Sequence, residues 1–175
     1  MSGPSKAETV TAYVGLGGNL GDPQAAMASA LQILDAADGI SVTRVSRVYR
    51  TPPWGLTNQP DFLNAVAEVD TALSPRELLD ACLDAERSLK RVRTERWGPR
   101  SIDLDVLIYG DVRVDEDGLH IPHPRLAERA FVLVPLIEIS PDLELSGARL
   151  ANALAALDLA GIERLDTRSD WWRER

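Results

Sequence analysis

Two aspartates, Asp103 and Asp105, interrupt an apolar run with the sequence RSIDLDVLIYG. If this run is a β-strand, residues two apart point to the same side, so both carboxylates lie on one face. The alternating residues that would face the core are Ile102, Leu104, Val106 and Ile108. Like charges this close repel each other unless a cation or proton intervenes. The pair therefore predicts a hard-cation site, since Mg²⁺ takes carboxylate, water and phosphate oxygens as ligands. The alternative is an edge strand with solvated acids or ion pairs to arginines.

A cationic segment comes directly before the two aspartates. Its basic residues are Arg87, Lys90, Arg91, Arg93, Arg96 and Arg100, and the one acid among them is Glu95. On a chain with a net charge of −8, this concentration indicates a local anionic ligand. Arginines beside paired carboxylates are the combination expected for phosphoryl transfer. The alternative is a solvated helix end, where basic side chains interact favourably with the helix dipole.

Phe62 and Asn64 lie two apart on a predicted strand and therefore face the same side. An exposed aromatic ring beside an amide can stack on a flat heterocycle and hydrogen-bond to it. The alternative is a phenylalanine in the core and an asparagine at a strand irregularity.

Three further ionisable residues are weaker candidates. His120 and His123 flank a proline in the sequence HIPHP. Their spacing is a weak metal signal without a third ligand, so we interpret His123 as a donor to a phosphate rather than as a zinc ligand. Glu86 lies on the apolar stripe of a predicted helix. We interpret it as structural: either it snorkels or pairs with an arginine, or it holds an arginine of the following loop in place.

The elements that must position these residues follow from periodicity and turn signals. Strands are predicted at residues 10–16, 40–50, 61–70 and 101–109, and helices at residues 23–37 and from Ser74 to about Lys90. Ser74, Pro75 and Glu77 form a capping box. Two C-terminal helices are predicted in FVLVPLIEIS and RLANALAALD. The order indicates an α+β ferredoxin-like β-α-β-β-α-β sandwich, with an antiparallel sheet, both main helices on one face, additional C-terminal helices, and the other face free for a site.

Length and composition restrict the class of protein. The 175 residues suit one domain spanning residues 1–175, with a loose leader at 1–9 and an unplaced tail at 164–175. The acidic balance disfavours nucleic acid as a partner. Neither a membrane span nor a signal peptide is visible in the sequence, so a cytoplasmic location is expected. The single cysteine, Cys82, excludes an internal disulfide.

Five segments resemble, in order, the 6-hydroxymethyl-7,8-dihydropterin pyrophosphokinases of folate biosynthesis. They are GLGGNLGD, YRTPPWG, QPDFLNAV, RWGPRSIDLDVLIYG and IPHPRLAERAFVLVPLIEI, within roughly residues 12–140. The resemblance implies transfer of a pyrophosphoryl group from ATP to the hydroxymethyl group of the pterin, which leaves AMP. It also implies two Mg²⁺ ions and small-molecule substrates, and we expect a monomer.

The resemblance further implies roles for individual residues. Asp103 and Asp105 would ligate both metal ions, and Arg91 and Arg100 would assist the transfer. The ATP-binding residues would be Arg91, Arg93, Arg100, His123 and Arg129, and Trp97 would lie in the catalytic loop. The pterin pocket would comprise Thr51, Pro52, Pro53, Phe62, Asn64 and Phe131, with the two phenylalanines sandwiching the ring. One departure is a loop between Arg93 and Arg96 that is one residue shorter than in some relatives.

Two proteins of other kinds are alternatives to this interpretation. A ferredoxin-like RNA-binding module would use the arginine-rich loop, but such modules stack bases on strand aromatics, where this chain has aspartates. A metal-dependent phosphoryl transferase with a different acceptor is disfavoured only by the segments of the pterin pocket.

Overall fold

The chain forms ten strands and four α-helices in the residues that the structure describes. This structure is a computed structural model, and it describes residues 8–52, 60–93 and 102–173, without the side chains of residues 91–93. The strands are β1 (Val10–Gly18), β2 (Ile40–Val45), β3 (Tyr49–Thr51), β4 (Phe62–Thr71), β5 (Asp103–Tyr109), β6 (Val114–Glu116), β7 (Leu119–Ile121), β8 (Glu144–Leu145), β9 (Ala148–Arg149) and β10 (Glu163–Arg164). The helices are α1 (Pro23–Ala36), α2 (Pro75–Arg93), α3 (Ala130–Ile139) and α4 (Leu150–Leu154), with a 3₁₀ turn at Leu126–Glu128.

Six of these strands form the central sheet, in the order β10-β3-β4-β1-β5, and β2 also pairs with β4. All their pairings are antiparallel. The predicted α+β sandwich with an antiparallel sheet is therefore confirmed. The predicted second strand is divided in two, because β2 and β3 pair with different parts of β4 and the chain between them leaves the ladder.

The two main helices begin where local chemistry favours it. The Asp22 carboxylate accepts a hydrogen bond from the Ala25 N–H, and Pro23 occupies the first turn of α1. At α2 the predicted capping box is present. The Glu77 N–H donates to Ser74 Oγ, and the Ser74 N–H donates to Glu77 Oε1 at 2.8 Å.

One face of the sheet packs against α1 and α2. The buried residues of this layer include Val14 and Leu16 from β1, Leu104 and Val106 from β5, Met27, Leu31 and Leu34 from α1, and Leu78, Cys82 and Leu89 from α2. The alternation of β1 directs its even-numbered residues into this layer, so its odd-numbered residues face the other side of the sheet.

The other face of the sheet is covered over part of its area. A second apolar cluster joins Tyr13, Val66 and Leu107 of the sheet to Leu133 and Leu136 of α3. The expectation of a face free of helices is therefore wrong for this half of the sheet. On the other half of this face, the side chains of Asp103 and Asp105 are exposed. The site therefore lies beside α3 and not on a wholly open face.

The alternation of β5 changes near its end. Tyr13 pairs with Ile108, whereas Val14 pairs with Val106, so Leu107 is an extra residue on β5 at this point. This bulge shifts the alternation by one residue. Ile108 consequently packs in the second cluster, and the prediction that it shares a face with Val106 is wrong.

The C-terminal part of the chain differs from its prediction as well. The last predicted helix is short, since α4 ends at Leu154. The first residue of the unplaced tail, Arg164, belongs to β10 at the sheet edge, and Trp172 is buried in the first core. None of the helices in the described part of the chain is long and apolar enough to cross a membrane.

Candidate active site

The acid pair lies on β5, opposite two glycines of β1. Asp103 pairs with Gly17 and Asp105 pairs with Gly15. Directly opposite residues in antiparallel strands point to the same side of the sheet. Each aspartate therefore has no side chain directly opposite it on β1, and neighbouring side chains approach these positions instead, Asn64 Oδ1 at Gly17 and Leu107 at Gly15.

The neighbour of Gly17 on β4 leaves no space for a side chain at this position. Gly17 pairs with Asn64 on β4, and a Cβ atom on Gly17 would lie 2.7 Å from Asn64 Oδ1. The Asn64 carboxamide therefore extends over Gly17 towards Asp103. This arrangement places Asp103, Gly17 and Asn64 in one row across three strands. Since strands lie about 4.8 Å apart, β5 and β4 are about 10 Å apart.

The negative charge of the Asp103 carboxylate is disfavoured at this position. Desolvation by the surrounding protein raises the pKa of Asp103, the charge of Asp105 raises it further, and Lys90 partly offsets both. Both aspartates are nevertheless solvent-accessible. A bound cation would relieve this repulsion.

Glu86 of α2 is the third carboxylate of this region. Its Oε2 accepts a hydrogen bond of 2.7 Å from the N–H of Leu104, the residue between the two aspartates. Burial raises the pKa of Glu86, and the charges of Asp103 and Asp105 raise it further, while the Leu104 N–H and Lys90 lower it. The described hydrogen bond of Glu86 is therefore with the backbone of the edge strand β5, and the side chains of the loop arginines lie outside the described residues.

His123 lies near Asp105. The backbone N–H of His123 donates to the Leu107 carbonyl at 2.9 Å, and this bond joins the segment after β7 to β5. Burial lowers the pKa of His123, the charge of Asp105 opposes this, and Arg129 and Arg125 lower the pKa further. The Arg125 N–H donates to His123 Nδ1 at 3.2 Å. A neutral ring therefore carries its proton on Nε2.

His120 does not join this group. It lies on β7, and its Nδ1 is 2.7 Å from Asp115 Oδ1 on the paired strand β6. Within residues 8–52, 60–93 and 102–173, no group of three or more His, Cys, Asp or Glu side chains is arranged to hold a metal ion. A cation at Asp103 and Asp105 would therefore need oxygen ligands from water or substrate.

The predicted pterin residues lie at the end of the same sheet face. Asn64 Nδ2 donates to Thr51 Oγ1 at 3.2 Å, and both residues are buried. Phe62 pairs with Thr51 across the β3–β4 ladder and is partly exposed. Phe131 lies in the first turn of α3, where the guanidinium carbon of Arg129 is 5.8 Å from the centroid of its ring. Pro52 is exposed beside Thr51.

Several predicted site residues fall outside this description. Pro53, Trp97 and Arg100 lie outside the described residues, and Arg91 and Arg93 are described only as the last turn of α2. The sequence interpretation gave no role in the site to Gly15, which lies within the predicted strand 10–16, or to Gly17. The signal for them was GLGG directly following a run of strand-forming residues, because glycine inside a strand indicates close approach of a ligand or side chain.

An antiparallel sheet with two exposed carboxylates on one face, and with Lys90 and His123 near them, defines an α+β protein of the kind that carries out phosphoryl transfer. The family model described as 7,8-dihydro-6-hydroxymethylpterin-pyrophosphokinase (HPPK) matches residues 13–141. The chain belongs to this family, and it is a diphosphotransferase. Family membership favours the enzyme over the RNA-binding module considered above.

Individual relatives agree with the family model. The chain is 53% identical over 155 residues to the 2-amino-4-hydroxy-6-hydroxymethyldihydropteridine pyrophosphokinase of Methylorubrum extorquens, covering 89% of this chain and 98% of the relative. It is 44% identical to the enzyme of the same name from Pseudomonas aeruginosa, covering 87% of this chain and 95% of that one.

Solved structures share the fold at much lower identity. The Plasmodium falciparum HPPK-DHPS chain, crystallised as wild type with pterin and p-hydroxybenzoate, superposes with a TM-score of 0.68 at 15% identity, over 86% of this chain. The match spans 43% of the Plasmodium chain, less than half of its length. At this identity the likeness concerns the fold alone.

Proposed function

We propose that the chain transfers a pyrophosphoryl group from ATP to 6-hydroxymethyl-7,8-dihydropterin, giving AMP and the pterin diphosphate. The observation that carries this proposal is the row of Asp103, Gly17 and Asn64 across β5, β1 and β4. It brings a carboxylate suited to a metal–phosphate complex and an amide suited to a heterocycle onto one face, about 10 Å apart.

Asp103 and Asp105 would hold two Mg²⁺ ions. The donor set fits, because Mg²⁺ is commonly bound through one or two carboxylates while waters and substrate phosphates complete the octahedron. The raised pKa of Asp103, due first to desolvation and then to Asp105, also favours a nearby cation. When bound, Mg²⁺ would neutralise charge that develops on the transferred phosphates.

His123 would donate from Nε2 to a phosphate oxygen of ATP, because its Nδ1 is already an acceptor for the Arg125 N–H. Arg129 lies near His123 and would supply positive charge to the same phosphates. The remaining ATP contacts are assigned, by the resemblance, to Arg91, Arg93 and Arg100. Arginine suits this role because its planar fork bonds two phosphate oxygens at once.

The pterin would lie between Phe62 and Phe131, with Asn64 hydrogen-bonded to its edge. Stacking of this kind contributes roughly 0.5–1.5 kcal/mol beyond the area buried. The bond from Asn64 to Thr51 fixes the carboxamide before the pterin binds, so less conformational freedom is lost on binding. Pro52 and Pro53 would complete the pocket.

In the reaction itself the oxygen of the pterin hydroxymethyl group would attack the β-phosphorus in line as the bond from that phosphorus to the α,β-bridging oxygen breaks. The bridging oxygen would leave with AMP, and the hydroxyl proton would pass to water. A largely dissociative transfer needs little covalent help from the protein, so positioning and electrostatics supply most of the acceleration. Asn64 and the stacked ring would position the hydroxyl, and Arg91 and Arg100 would stabilise charge that grows in the transition state.

The decisive experiment measures AMP formation from ATP and Mg²⁺ with and without the hydroxymethyl pterin. We expect AMP only when the pterin is present. Asp103→Asn and Asp105→Asn should each lower turnover by roughly 10²-fold or more, as expected when a main charge-stabilising group is removed. Asp111→Asn, at an exposed aspartate in the turn after β5, is the control and should retain normal turnover. Near-normal turnover in either site variant at saturating Mg²⁺ would contradict the metal assignment.

A monomer, a cytoplasmic location and a single domain over residues 1–175 stay predictions. Analytical ultracentrifugation with and without ATP would test the first.

A further inference from the structure

The C-terminal residues 161–173, which we call the C-terminal strap, lie outside the segment matched by the family model. Their strand β10 pairs with β3, so that Glu163 is opposite Arg50 and Arg164 is opposite Tyr49. The strap therefore forms the edge of the sheet next to the short strand that ends at Thr51.

Further bonds hold the chain before β3 to the strap. The Leu165 N–H donates to the Val48 carbonyl at 2.8 Å, and Arg47 Nε donates to the Thr167 carbonyl at 3.3 Å. Trp171 Nε1 donates to the Ser46 carbonyl at 2.8 Å. The segment that leads into Thr51 is thus fixed by the strap over several consecutive residues.

The far end of the strap is anchored in the body of the protein. Trp172 has 4% of its surface exposed and belongs to the first core. Its carbonyl accepts a bond of 2.7 Å from Gln32 Nε2 of α1. The strap is therefore bonded to the protein at both of its ends.

The strap contacts both neighbours of Thr51. Glu163 forms an ion pair with Arg50. Gly161 has a φ of +85°, and a Cβ atom there would lie 3.0 Å from the Cγ and Cδ atoms of Pro52. Thr51 lies between Arg50 and Pro52, and it holds the Asn64 carboxamide.

We propose that the C-terminal strap positions the pterin end of the site, with Gly161 and Glu163 acting as positioning residues through Pro52 and Arg50. It sets the affinity for the pterin and leaves the ATP end unaffected, because its hydrogen bonds to the sheet are made at β3 and the chain before it, and none joins it to β5 within the described residues. The inference rests on the proposed function, which assigns Thr51, Pro52 and Asn64 to the pterin.

A matched pair of glycine variants tests the inference. Gly161 and Gly147 both have positive φ, at +85° and +82°, but a Cβ atom on Gly147 would meet nothing within 4 Å. Gly161→Ala and Gly147→Ala therefore carry similar backbone strain, and only the first displaces Pro52. Steady-state kinetics with each substrate varied in turn, together with the melting temperature, compare the two variants.

We expect Gly161→Ala to raise the KM for the pterin about tenfold, since misplacements of this size have large effects on bound geometry. Its kcat and its KM for ATP should match those of Gly147→Ala, and Gly147→Ala should match the wild type. A purely structural role would lower the melting temperature of both variants without separating the two KM values.

A surface variant covers the case in which Gly161→Ala does not fold. Glu163→Gln weakens the ion pair to Arg50 at an exposed position, and we expect it to raise the pterin KM about twofold to threefold, in keeping with an exposed pair. Glu144→Gln on β8 is its control. If the wild type is active and neither strap variant raises the pterin KM more than the ATP KM, this inference is overturned and the proposed function stands. If the wild type forms no AMP with the pterin, the proposed function is overturned and this inference with it.

Discussion

Asp103 and Asp105 each lie opposite a glycine on β1, and the peptide group between them bonds to Glu86. Period-two alternation was sufficient to predict that the two carboxylates share a face, since it needs only local geometry. The Glu86 contact could not be predicted, because it joins residues that are distant in sequence and depends on how α2 lies against the edge of the sheet.

Glu86 offers a test at the residue scale. The N–H of Leu104 lies on the edge strand of the sheet and donates to the carboxylate of Glu86. Glu86→Gln keeps a carbonyl oxygen that can accept this bond, so its stability should lie within about 1 kcal/mol of the wild type. Glu86→Ala leaves the part-buried N–H without an acceptor and should lose about 1–3 kcal/mol. Urea unfolding followed by circular dichroism measures both.

The turnover of Glu86→Gln and Glu86→Ala shows whether Glu86 acts by anchoring the backbone of β5 or through its negative charge. If Glu86 acts by fixing the β5 backbone, Glu86→Gln retains turnover and Glu86→Ala loses it. Loss of turnover in both variants, with the stability of Glu86→Gln unchanged, would show that the negative charge itself is needed at the site.

At the scale of elements, the site depends on β1, a strand with glycines on the face that carries the site. β1 carries glycines where its face meets Asp103, Asp105 and Asn64, and apolar residues on its other face. The helix starts were predictable, because the capping box of Ser74 and Glu77 is a local signal. The bulge at Leu107 was not, since Val106, Leu107 and Ile108 are all apolar and their sequence does not show where the alternation changes.

Gly17 and Gly15 form a matched pair for testing this strand. A Cβ atom on Gly17 would lie 2.7 Å from Asn64 Oδ1, whereas one on Gly15 would lie 3.4 Å from Leu107, an ordinary contact. Gly17→Ala should displace the end of the Asn64 side chain, raise the pterin KM about tenfold and cost little stability, because a side-chain end moves more readily than backbone. Gly15→Ala should leave the pterin KM unchanged. Equal pterin KM values in the two variants would contradict the placement of Asn64 over Gly17.

At the scale of the whole molecule, the sheet separates two apolar clusters. α1 and α2 cover one face, and α3 and α4 cover half of the other. The first layer was predictable from the β-α-β-β-α-β order. The second layer and the strap were not, because short C-terminal segments with weak periodicity acquire their positions from the sheet that they cover.

Cys82 reports on the first layer. It is fully buried between α2 and the sheet, and burial raises the pKa of its thiol to about 12, with Glu86 and Asp105 contributing. Because the thiolate is the reactive form, native protein should not react with a thiol reagent at pH 8. Raising the pH towards 9.0, the ordinary thiol value, should not speed the reaction, since the folded thiol stays protonated there. In denaturant the chain should react with one equivalent of the thiol reagent, through its single cysteine.

The urea dependence of this reaction then tests cooperativity across the sheet. Cys82 lies in the first layer, whereas circular dichroism reports on the helices of both layers together. If both layers share one cooperative transition, labelling of Cys82 and loss of ellipticity have the same midpoint, because the thiol is exposed only when the sheet opens. Labelling at clearly lower urea would mean that α2 detaches first. In that case Glu86 would leave Leu104, and pyrophosphokinase activity should disappear with the early transition rather than with global unfolding.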